Sequence, residues 1–104
     1  MATYLFSYHG GSGMVSGEER DRVMAAWGAW FSRLGAAVVD PGNPGGATRI
    51  VAADGSVTDG GPASPTGYSL ITAGSLDEAV AAAKGCPVLA DGGMVEVTEI
   101  IPAM

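Results

Sequence analysis

Proton chemistry at neutral pH needs a group that both takes and returns a proton, and this chain carries one imidazole, His9. It sits near the end of Thr-Tyr-Leu-Phe-Ser-Tyr-His-Gly-Gly, residues 3 to 11. Alternation on a strand puts Tyr4, Phe6 and Tyr8 on one face and Leu5, Ser7 and His9 on the other, so the strand delivers the ring to its end. Two roles are open to His9: acid/base catalyst, or a strand-end side chain held by backbone hydrogen bonds. Asp40, before Pro41, could orient His9 or act as a base; it equally suits the start of a turn. Asn43 and Tyr68 carry groups able to orient a polar ligand, and both also read as ordinary turn and strand residues. Ser7 is about 6.5–7 Å from His9 along the strand, too far for a nucleophile and base pair, and is read as lining a cleft.

Other residues lend themselves less to chemistry. Trp27 and Trp30 fall within a helical apolar stripe and read as core. The lone Cys86 follows a helix, whose negative end raises a thiol pKa, and it has no second Cys or nearby His to build a disulfide or zinc site. Gly10-Gly11-Ser12-Gly13 lacks both the Lys-Ser/Thr ending of a phosphate loop and the spacing of a dinucleotide fingerprint, so it reads as a turn. No cofactor or metal is expected.

The elements that must position these groups follow from periodicity. Ser16 and Glu19 have capping-box spacing, and Val23, Met24, Trp27, Trp30, Phe31 and Leu34 make a broad apolar stripe, which predicts a helix ending at Gly35. Ala36 to Asp40 is a short strand, and residues 41–46 form a loop without regular structure. Thr48 to Ala52 and Ser56 to Thr58 flank Asp54-Gly55 as a hairpin, and residues 59–67 form a second loop. Tyr68 to Thr72 is the next strand. Ser75 and Glu78 open a smaller helix with Leu76, Ala79, Val80 and Ala83 as its stripe, and Met94 to Ile101 closes the chain as a strand with Val95, Val97 and Ile101 on one face. Strand, helix, strand occurs twice. The expected fold is α+β, a ferredoxin-like βαββαβ sandwich with both helices on one face of an antiparallel sheet.

At 104 residues the chain is expected to form one domain, residues 1–104, with a limited core. Charged residues make up 15%, below the usual quarter, which favours a covered surface. A face of the sheet without helices would expose apolar side chains, so a homodimer is expected. Five Lys+Arg against eleven Asp+Glu form no basic stripe, arguing against nucleic acid. No apolar run approaches the roughly 18 residues of a membrane span and no signal-like amino terminus is present, so a cytoplasmic protein without membrane association is expected.

The chain resembles the YCII-related (YciI-like) family, near the branch named for an Asp-Gly-Pro-Phe loop. The resemblance rests on residues 4–11, 23–31 and 38–44, on Asp54 to Gly60, and on Ser75 to Ala79 leading to Gly85-Cys86-Pro87. It implies a dimeric α/β barrel in which two sheets face each other across a cleft, with a histidine and an aspartate in catalysis. From the residue chemistry above, His9 and Asp40 are the expected catalytic residues, and Ser7, Asn43 and Tyr68 the ligand-binding ones. The chemistry implied is a cofactor-independent lyase or isomerase acting on a small organic molecule; the alternative is a non-catalytic dimeric module that binds a small molecule or protein. Two departures stand out: Asp59-Gly60-Gly61-Pro62 carries an extra glycine and no phenylalanine, and residues 17–35 contain no histidine.

Overall fold

A computed structural model describes residues 1–11, 17–61 and 63–103. Its elements are β1 (Ala2–His9), α1 (Gly17–Leu34), β2 (Val38–Asp40), β3 (Arg49–Val51), β4 (Val57–Asp59), β5 (Pro65–Ala73), α2 (Leu76–Ala83) and β6 (Met94–Ile100). The fold is α+β: an antiparallel four-stranded sheet in the order β2-β5-β1-β6, two helices, and a separate β3-β4 hairpin.

β1 is central because both of its edges are used, by β5 and by β6. Its alternation sorts the molecule into two sides. Tyr4, Phe6 and Tyr8 are buried, and they share one core with Ile71 and Ala73 of β5, Trp30 of α1, and Ala79 and Ala83 of α2. Both helices therefore cover the same face. Aromatic rings fill most of the space: Phe6 stacks on Trp30 with centroids 6.2 Å apart, and Tyr8 meets Trp27 edge-on at 4.9 Å. Three hydrogen bonds satisfy polar atoms that this burial would otherwise strand. Trp30 Nε1 donates to the Ala82 carbonyl at 3.1 Å, tying α1 to the end of α2. Tyr8 Oη donates to Ser69 Oγ at 2.8 Å, and Ser69 donates onward to the Pro41 carbonyl at 2.6 Å.

Local chemistry sets most boundaries. Gly35 takes φ +57° and ends α1 as expected. The Ser16 half of the first capping box lies outside the described residues. In the second, Ser75 Oγ accepts from Glu78 N at 3.1 Å, while the Glu78 carboxylate reaches one residue further back, to Gly74 N at 2.9 Å. At the hairpin tip Asp54 Oδ1 accepts from Ser56 N at 2.9 Å, which holds that carboxyl below the ordinary carboxylate range.

Several expectations are corrected. Residues 35–37 form a 3-10 turn, so β2 begins at Val38, and β5 begins at Pro65, three residues before the expected start. The stretch after Pro41 is less irregular than its prolines and glycines imply. The Asn43 carbonyl accepts from Tyr68 N at 3.3 Å, Gly45 N donates to the Thr66 carbonyl at 2.9 Å, and Pro44 bridges to Gly67, so the chain resumes the β2 ladder along β5. Pro44 fits there because the hydrogen bonds fall on the residues either side of it. In α2 the core takes Ala79 and Ala83, leaving Leu76 and Val80 on the exposed side, and Ile101 lies beyond β6 in solvent.

Candidate functional site

The second side of β1 builds the candidate site. Register pairs Ser7 with Tyr68 on one edge and with Glu96 on the other, which puts all three on the face away from the helices, with Leu5 and Leu70 one step along. Leu5, Ser7 and Tyr68, together with Gly45, Pro65 and Gly67, line an open, mostly apolar concavity of about 310 Å³. The resumed ladder after Pro41 supplies its Gly45 wall.

His9 stands at the end of this row. β1 keeps regular register with β6 through His9–Met94, but against β5 it skips Thr66, whose hydroxyl donates to the Tyr8 carbonyl at 3.2 Å. The skipped residue is a bulge, the device by which a strand re-aims side chains. Gly93 is needed beside it, since a Cβ there would come within 2.6 Å of the His9 carbonyl oxygen. His9 is 8% exposed, and its Nε2 lies 3.2 Å from Glu96 Oε1. An ionised carboxylate only accepts, so the contact puts a proton on Nε2. Nδ1 is then the free position; it is buried and has no hydrogen-bond partner among the described residues. A ring held through one nitrogen by a carboxylate has the parts that a general base and its orienting group need.

The carboxylate is Glu96 and not Asp40. Asp40 Oδ1 accepts from Gly42 N at 2.8 Å and starts the turn after β2. Gly42 has φ +76°, and a Cβ there would collide with the Tyr68 carbonyl, so this turn is tightly determined. Asp40 pairs with Leu70, beside Leu5, with β5 between it and β1. That places it about 10 Å across the sheet and about 13 Å along it from His9. Asp40 therefore does not orient His9: a short side chain is captured by the amide two residues on.

Of the expected ligand-binding residues, Ser7 and Tyr68 meet at the concavity, where Tyr68 is 39% exposed. Asn43 is exposed and contributes its backbone carbonyl to β5. His9 borders this group without lining the concavity. Glu96 had one sequence signal, its place opposite Val95 and Val97 in the closing strand; that it meets His9 depends on β6 pairing with β1.

The remaining candidates behave as structure. Trp30 is buried in the core, and half-buried Trp27 packs against it. Cys86 is buried, and burial pushes its thiol up to about 11, the expected direction by desolvation. Among the described residues no group of three or more His, Cys, Asp or Glu could hold a metal ion, and no helix is long and apolar enough to cross a membrane. Comparisons of the chain with protein-family models, curated proteins and solved structures find no match.

Proposed function

We propose that this chain is a YCII-related protein of ferredoxin-like βαββαβ topology, dimerising through its open sheet face, in whose cleft His9 moves a proton on a small organic molecule. The topology is supported by the strand order. With the hairpin set aside, α1 joins β1 to β2 across β5, and α2 joins β5 to β6 across β1, as two interleaved β-α-β units do. The dimer is supported by the open face, where Tyr68, Met94 and Ile100 are exposed beside half-buried Leu5 and Leu70.

The chemistry rests on one observation, the 3.2 Å contact between His9 Nε2 and Glu96. On this reading the His9 imidazole carries the proton, Glu96 fixes its tautomer and stabilises the imidazolium once formed, and the Ser7 and Tyr68 hydroxyls orient the substrate. The reaction class is proton abstraction and return at carbon, in an isomerase or lyase without a cofactor. A second reading, a binding module in which His9 is structural, is favoured by the sealed position of Nδ1. Incubation in D₂O with a panel of small carbonyl and carboxylic compounds, followed by NMR, separates the two. Catalysis predicts deuterium entering one compound, with exchange lost in His9→Ala and reduced in Glu96→Gln at unchanged melting temperature. A compound that binds the open face and never exchanges would establish the binding module.

A further inference from the structure

The helix side of the molecule carries an open groove of about 480 Å³, between α1 and the chain that follows α2. Residues 22, 26, 29 and 33 of α1 recur at helical spacing and form one wall; Lys84 to Pro87 and Leu89 to Asp91 form the other. The charge here opposes that of the whole protein. Arg22, Arg33 and Lys84, three of the five basic residues in a chain of net charge -6, line this groove with a single acid, Asp91. Among the described residues the ion pairs are His9–Glu96 and Arg49–Asp59, so none of the three groove cations is committed to a carboxylate.

Helical rise separates Arg22 from Arg33 by about 16 Å, too far for one anionic group to bridge. Arg33 and Lys84, in contrast, flank the same end. The Trp30–Ala82 hydrogen bond pins the last turns of the two helices together, and each cation follows one of its partners by two or three residues. Between that end and Arg22 the walls are apolar, with Ala26, Ala29, Pro87 and Leu89. We propose that this groove binds a small organic acid, its carboxylate or phosphate head between Arg33 and Lys84 and its apolar body, about 11 Å long, over Ala26 and Ala29. The volume is that of a small-molecule site, and cations gathered at one end of an apolar trough suit an amphipathic anion better than an acidic peptide, which would need charge along its length. The Cys86 thiol on the groove wall stays neutral at physiological pH and does not oppose the anion.

The indole of Trp30 reports on the site, because a Cβ added at Gly85 would lie 3.3 Å from Trp30 Cδ1. Titration with octanoate and octyl phosphate should give a saturable change in tryptophan emission, with inorganic phosphate and octanol binding at least about tenfold more weakly. Of the two amphiphiles, the tighter identifies the head group. Arg33→Glu and Lys84→Glu should each weaken binding by about tenfold, and Arg22→Glu by less than about threefold. All three side chains are exposed, and far-UV circular dichroism checks that the variants fold. A non-saturating response, unchanged affinity in folded Arg33→Glu, or a polyglutamate peptide binding as tightly as octanoate would overturn the proposal.

Discussion

The two faces of β1 differ in what their neighbours demand of them. On the covered face Tyr4, Phe6 and Tyr8 are nearly inaccessible within one core shared with both helices and β5, and the Tyr8 hydroxyl is paired inside it. On the open face Leu5 and Ser7 are half-buried, Tyr68 is exposed, and the one buried polar side chain, His9, keeps a nitrogen without a partner among the described residues. Stability is concentrated on the first face, and unspent binding capacity on the second. One strand thus serves as core on one side and as the platform of the candidate site on the other.

The comparison can be broken by substitution. The largest effect is expected from Trp30→Ala, which empties the centre of the covered face and strands the Ala82 carbonyl; denaturant unfolding should show a loss of roughly 3–5 kcal/mol. Ser69→Ala should cost about 1–3 kcal/mol, because the buried Tyr8 hydroxyl and the Pro41 carbonyl both lose their partner. A value near zero would show that Tyr8 finds water. Leu70→Ser, at a half-buried position on the open face, should cost about 1 kcal/mol of monomer stability, while light scattering shifts from dimer to monomer. Were the wild type monomeric at micromolar concentration, the open face would not be the interface proposed for it.

Much of this was legible in the chain itself. Period-two alternation sorted Tyr4, Phe6 and Tyr8 from Ser7 and His9; three- and four-residue spacing put Trp27 and Trp30 in the core; Asp54-Gly55 marked the hairpin tip and Ser75 the start of α2. These are local signals, carried by residues a few positions apart. The site was less legible. His9 was found by being the only imidazole, but its carboxylate was sought at Asp40 when it lies 87 positions away, at Glu96.

That contrast has a physical cause. Side-chain period, capping and glycine torsions act within a turn or two of backbone, so the sequence by itself determined which face of β1 is apolar and where most elements begin and end. Which carboxylate meets His9, and that Pro44 sits in an extension of a strand, depend on strand pairing. Pairing joins segments far apart in the chain, and β6 lies beside β1 because α2 packs on the same core as α1. Only the tertiary structure decided that, and with it the neighbour that makes His9 a candidate base.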